Sequence, residues 1–322
     1  MNESDDYLWD RSGPPDPEVQ RLEDLLAPLA HQAPLRRRSK RPIILAGAVA
    51  LAASIALVAW WRWPGEPAVV ACAAATSGFT FTAKTGTVAC EGASLTAGRL
   101  PVGGTLDTGS HRAELAIASI GTAELGQGTR VRLDRTGVDG HQLHLERGHM
   151  HARVLAPPRI FAVTTPSVDV TDLGCEYAID IAATGAGEIR VITGMVELET
   201  GTGAVVVAPA GTHARLLPGR RASLPLEDKA GPALVAAVAG HERGDPDGVE
   251  RVLTAATSTD GITVANLYAL VRTRRVLERL AELSPPIDEG VTIDAAQADP
   301  KIFARWLDEI IEVRLGAAAL PF

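Results

Sequence analysis

The chain has 322 residues, 46% of them hydrophobic but only 4% aromatic, and a formal net charge of -8 at pH 7. This length holds one or two globular domains beside any membrane segment, with cores built of Val, Leu, Ile and Ala rather than rings. The acidic balance argues against general nucleic-acid binding. The absence of Gly-x-Ser-x-Gly, His-Glu-x-x-His, Walker A and Gly-x-Gly-x-x-Gly patterns points away from an enzyme and from a bound cofactor.

Residues 1–41 are polar and open with Asp5-Asp6-Tyr7-Leu8-Trp9-Asp10, then a turn at Gly13-Pro14-Pro15. Asp16 is placed to cap a helix, with Pro17 at its first position and Glu18 in its first turn. Val19, Leu22, Leu25, Leu26 and Leu29 then recur at helical spacing and make one apolar face. So short a helix is marginal in water by itself. It lies on a membrane, docks on another protein, or stays frayed. Tyr7, Leu8, Trp9, Leu22, Leu25 and Leu26 are the candidate partner-binding residues here, because aromatic and aliphatic anchors dominate interfaces.

From Ile43 to Trp61 the chain is uncharged and apolar, Ser54 being its only polar side chain. Such a run is about long enough to cross a ~30 Å hydrocarbon core as a helix. Arg36, Arg37, Arg38, Lys40 and Arg41 precede it, Arg62 follows, and Trp60, Trp61 and Trp63 sit where an interfacial aromatic belt belongs. A signal peptide starts nearer the N-terminus and ends in small residues, unlike this run. Residues 42–63 are therefore read as one transmembrane helix. The basic N-terminal flank keeps residues 1–41 in the cytoplasm of a bacterial cell and sends 64–322 out of the inner membrane into the periplasm.

Residues 64–95, rich in Pro, Gly, Ala and Thr, read as a stalk. The chain has three cysteines, Cys72, Cys90 and Cys175. In an oxidising compartment Cys72 and Cys90 are placed to bridge a stretch with little else to hold it. The competing reading leaves all three free, with Cys175 a small buried hydrophobe.

Residues 96–221 change character. Short alternating runs separated by glycine turns predict strands at Ala113–Ile117, Gly121–Leu125, Thr129–Leu133, Gln142–Leu145, His149–Val154, Ile160–Thr164, Val168–Val170, Tyr177–Ile181, Glu188–Thr193, Met195–Glu199 and Ala204–Val207. Many short strands without crossover helices predict a mainly β fold, an antiparallel β-sandwich or β-roll. Over 222–322 the period becomes helical, with helices expected at Ala233–His241, Gly248–Ala256, Thr263–Leu283 and Lys301–Leu315, a small all-α module.

The β region resembles a known family. Gly98-Arg99-Leu100 through Gly104-Thr105-Leu106-Asp107-Thr108-Gly109 is similar to the opening of the periplasmic FecR domain, named for the ferric-citrate regulator. Leu145-Glu146-Arg147-Gly148 through Val154 continues the pattern. So do Phe161-Ala162-Val163-Thr164-Thr165-Pro166, Leu173-Gly174-Cys175-Glu176-Tyr177, and Ile189 through Leu198. Cys175 and Tyr177 stand where the family usually has threonine and phenylalanine. The resemblance implies a single-pass signalling protein. Its periplasmic domain would receive a signal, often from a TonB-dependent outer-membrane transducer. Its N-terminal tail would regulate an extracytoplasmic-function sigma factor. The alternative is a membrane-anchored structural or adaptor protein of the cell envelope whose tail is inert.

Two side-chain clusters invite a site. His141, His144, His149 and His151 are half of the chain's eight histidines, and His149 and His151 share a strand face. With no carboxylate or cysteine at ligand spacing, the face reads as solvent-exposed rather than as a metal site. Asp169, Asp172, Glu176 and Asp180 read as strand edges and turns rather than as a catalytic pair.

Overall fold

The structure, a computed structural model, describes residues 72–316 apart from 202 and 220, together with 17, 20 and 21. The transmembrane helix expected over 42–63 and the tail contacts Tyr7, Leu8, Trp9, Leu22, Leu25 and Leu26 lie outside the described residues. Among the described residues no helix is long and apolar enough to cross a membrane.

Alternation of apolar and polar residues builds the β body, because successive side chains point to opposite faces of a strand. In Ala113–Ile117, for instance, Ala113, Leu115 and Ile117 are buried while Glu114 and Ala116 are not. The strands form two sheets. The first runs in the order β4 (Ala97–Leu100), β1 (Phe79–Ala83), β6 (Ala113–Ile117), β7 (Gly121–Leu125), the second half of β9 (Gly140–Val154), β12 (Glu176–Ile181), β13 (Gly187–Thr193) and β16 (Thr212–Leu217). The short β17 (Arg221–Ala222) and β18 (Leu226–Glu227) pair with β16. The second sheet runs β3 (Ala93–Leu95), β2 (Val88–Cys90), β5 (Thr105–Asp107), β8 (Arg130–Gly137), the first half of β9, β10 (Phe161–Thr164), β11 (Asp169–Asp172), β14 (Met195–Glu199) and β15 (Val205–Pro209). One continuous cluster fills the space between them, with Phe81, Leu115, Met150 and Tyr177 from the first sheet and Leu106, Leu133, Leu143 and Val170 from the second.

Strand β9 joins the two sheets. Its sequence reads as two strands, Gln142–Leu145 and His149–Val154, but it is continuous, with Leu145 paired to Val131 in one sheet and Met150 paired to Leu125 in the other. The pivot is Gly148, at φ +97°. This strand also explains a departure from the all-antiparallel expectation. β9 and β10 are parallel, Phe161 lying beside His141. The crossover that a parallel pair needs is supplied by the second half of β9, which leaves the sheet before the chain returns to it.

Three strands lie in the stretch read as a stalk. Phe79-Thr80-Phe81-Thr82 alternates within a Gly/Thr/Ala-rich background, and both phenylalanines are buried. Cys72 and Cys90 are disulfide-bonded with their Cα atoms 6.0 Å apart, closing a loop of sequence separation 18, while Cys175 is free and buried. Cross-linking a loop of this size stabilises by about 3 kcal/mol in the chain-entropy account. Cys72→Ser, or reduction, is therefore expected to lower the urea unfolding free energy of the β body by about that amount. A change below about 1 kcal/mol would remove this role from the bridge.

The C-terminal region packs six helices among the described residues: α1 (Pro232–Glu242), α2 (Gly248–Ala255), α3 (Gly261–Val271), α4 (Arg274–Leu283), α5 (Ile293–Ala298) and α6 (Pro300–Leu315). The single helix expected over Thr263–Leu283 is broken, because Arg272 adopts a left-handed φ of 53° and Thr273 is extended. The break lets α3, buried on every side from Gly261 to Tyr268, and the amphipathic α4 bury their faces in one cluster. That cluster contains Leu267, Tyr268, Leu277, Leu280, Phe303 and Trp306. The Trp306 indole N–H donates to the carbonyl of Ser284 at 3.0 Å.

Candidate partner-binding surfaces

A β-sandwich offers partners its edges and its outer faces. The β15 edge is closed. Val207 faces away from β14, and its N–H donates to the Asn266 Oδ1 at 2.7 Å while its carbonyl accepts from the Asn266 Nδ2 at 2.9 Å. The carboxamide of α3 thus takes the place of a further strand. Asn266 is 1% exposed, and its amide also donates to the Ile262 carbonyl. Pro209 at the end of β15 has no N–H, and its carbonyl accepts from the Thr212 hydroxyl. Next to it Arg314 of α6 holds the Ala210 carbonyl with Nε and Nη2 at 3.2 and 3.0 Å and pairs with Glu227. The opposite end is more open. β3 pairs only with β2 among the described strands, and Ala93 and Ser94 are exposed.

The outer face of the first sheet is a lattice of cross-strand polar pairs. His149 meets Asp180 at 2.8 Å, and Glu176 accepts from both His151 at 2.9 Å and Arg153 at 2.8 Å. The Arg153 bond chiefly holds the Glu176 carboxyl below the usual range. Met150 and Ala152 point inward and are fully buried, so His149 and His151 do share the solvent face. Each is matched to a different carboxylate, and among the described residues no group of three or more His, Cys, Asp or Glu could hold a metal ion. His141 and His144 belong to the other sheet. His141 lies against the Phe79 ring with centroids 5.6 Å apart and bonds Thr136, while His144 bonds Thr164. Burial, then Arg135 and Arg132 respectively, keeps both imidazoles below their ordinary pKa. Asp172 is buried, whereas Glu176 and Asp180 face outward, so these carboxylates do not converge.

A third surface had no signal in the local pattern. Between α3, α6 and the segment 283–287 lies an apolar groove of about 520 Å³, walled by Ile262, Leu283, Trp306 and Ile310. Ile287 and Val313 stand on its rim 70% and 68% exposed. Glu309 of α6 fixes that rim by accepting the N–H groups of Ile287 and Asp288 at 2.8 and 3.2 Å.

Residues 104–197 match the family model described as FecR protein. No curated protein matches the chain. Two crystal structures of a candidate anti-sigma factor from Parabacteroides distasonis ATCC 8503 are similar to it at 18% identity and TM-score 0.34. The first, at 1.65 Å resolution, aligns over 41% of this chain and 63% of its own, so the chain spans less than two thirds of that protein. The second, at 2.50 Å, aligns over 45% and 72%.

Proposed function

We propose that this chain, which carries a FecR-like segment over residues 104–197, is a single-pass inner-membrane regulator of an extracytoplasmic-function sigma factor. One observation carries the reading: the FecR match stands on the C-terminal side of an uncharged run, Ile43 to Trp61, with a basic N-terminal flank. Under the positive-inside rule that order puts the β body outside and residues 1–41 inside. The outer region then receives a protein partner, a TonB-dependent transducer in this scheme. The accessible ground for it is the β3 edge or the charged face of the first sheet, since Asn266 and Pro209 close the β15 edge. Tyr7, Leu8, Trp9, Leu22, Leu25 and Leu26 are the proposed inside contacts. The reading is regulatory, without catalysis.

Co-purification of the full chain with each extracytoplasmic sigma factor of its host tests this. One factor is expected to be captured, and Trp9→Ala combined with Leu22→Ala is expected to weaken capture about 30-fold or more, the scale of losing hot-spot anchors. Capture that is unchanged by the double substitution removes the assigned contacts. Capture of none favours the envelope scaffold instead.

A further inference from the structure

Asp172 ends β11 in the second sheet, and Leu173, Gly174 and Cys175 carry the chain across to β12 in the first. The crossover is tight. Gly174 has φ +87°, and a Cβ on Gly194 would lie 2.4 Å from its carbonyl. Leu173 donates to Met195, Cys175 accepts from Val154, and Asp172 accepts from the Arg159 N–H through its backbone carbonyl. The Asp172 carboxylate closes the turn from inside. It accepts the Gly174 N–H at 2.6 Å and the Cys175 Sγ–H at 2.9 Å, and the residue is only 2% exposed. Tyr177, two residues past Cys175 and fully buried, is held well above its ordinary pKa first by burial and then by Asp172, and its hydroxyl has no hydrogen-bond partner among the described residues.

Among the described residues no cation compensates the buried carboxylate. On β12, Glu176 turns outward to Arg153 and His151 of β9. Arg159, in the loop before β10, pairs with Glu197 of β14 at 2.6 Å. Cys175 and Tyr177 are the titratable groups that share the field of Asp172.

We propose that Asp172, enclosed by Cys175 and Tyr177, is a pH-responsive latch on the crossover between the two sheets, tight when the carboxyl is neutral and loosened when it ionises. Burial raises the Asp172 pKa from 3.8 to about 6, against the smaller opposing pull of the Cys175 and Gly174 bonds. An acid whose folded-state pKa is raised favours folding most where it is neutral in both states. That contribution is complete below the ordinary value and is lost as pH rises to about 6. His141, His144 and His241, held low chiefly by burial, act in the opposite sense: their contribution is complete above 6.5 and is lost as pH falls below it. The latch is therefore read from the difference between the protein and its Asp172→Asn variant. It does not depend on the membrane orientation proposed above.

Amide hydrogen exchange of the full chain in micelles, corrected for intrinsic rates, tests it at Gly174–Glu176 between pH 4.5 and 8. Protection there is expected to fall at least ~10-fold in a step between pH 4.5 and about 6 and to level off above it. The step is expected to vanish in Asp172→Asn, whose folding constant relative to the parent is expected to rise about 100-fold from pH 3.5 to 8, the equivalent of the shift. Cys175→Ser, a stronger donor to the carboxylate, is expected to move the step to lower pH. No step in the parent protein overturns the proposal. So does the same step in Asp172→Asn, which would assign it to another acid raised by burial, such as Glu242, or a step unmoved by Cys175→Ser.

Discussion

Replacing Gly148 by alanine is expected to cost the β body about 2–5 kcal/mol, the sum of two penalties. A non-glycine residue at φ +97° pays about 1–2 kcal/mol for its backbone conformation. The added Cβ would also lie 2.3 Å from the Cα of Thr129, which is backbone and cannot swing aside, and overpacking of this kind costs about 1–3 kcal/mol. Thr129 is itself locked, its hydroxyl donating to the His149 carbonyl at 2.9 Å and accepting the His149 N–H at 3.0 Å. The damage falls where β9 leaves one sheet for the other, so both sheets lose register together. Gly137, at the end of β8, is the control: a Cβ there would meet no atom within 4 Å, and its φ is not left-handed. Alanine at that position is expected to change stability by less than about 1 kcal/mol. Urea unfolding followed by fluorescence and circular dichroism measures both. Equal effects at the two glycines would mean that Gly148 is not a pivot.

Asn266→Ala is expected to be about as costly, at roughly 2–5 kcal/mol. The alanine would leave the N–H and the carbonyl of Val207 without partners at a buried junction, and each such loss costs about 1–3 kcal/mol. The effect has a location as well as a size. Exchange of the Val207 amide is expected to accelerate far more than that of Val191 in the first sheet. With the α3 cap gone, β15 presents an open edge, so concentration-dependent self-association is expected in sedimentation experiments. Unchanged protection at Val207 would show that another group closes this edge.

Most strands from Ala113 to Val207 were readable because they alternate apolar and polar residues over a window of five or so, or, like Val205-Val206-Val207, are β-branched runs, and inward and outward positions need no distant information. The strands before Leu100 were harder. They are three to five residues long, and their small residues match stalk composition as well as strand composition. The break between α3 and α4 had no Gly or Pro to announce it. Arg272 turns left-handed because burying both helices in one cluster outweighs the local cost. The charged face carrying His149 and His151 was visible as a strand face, but its pairing with Asp180 and Glu176 of β12 was not.

By itself the amino-acid order determined the β-then-α division of residues 96–322, the inward set of each central strand, the FecR resemblance and the apolar run at 43–61. All of these are properties of neighbours in the chain, where period, turn chemistry and uninterrupted hydrophobicity act locally. Only the tertiary structure decided that Asn266 closes an edge 59 residues away, that Asp172 rather than its neighbouring acids is buried without a cation among the described residues, and that β9 serves both sheets. Each of these depends on what packs against a residue from elsewhere in the chain, and hydrogen-bond closure and desolvation are set by that surrounding rather than by sequence neighbours.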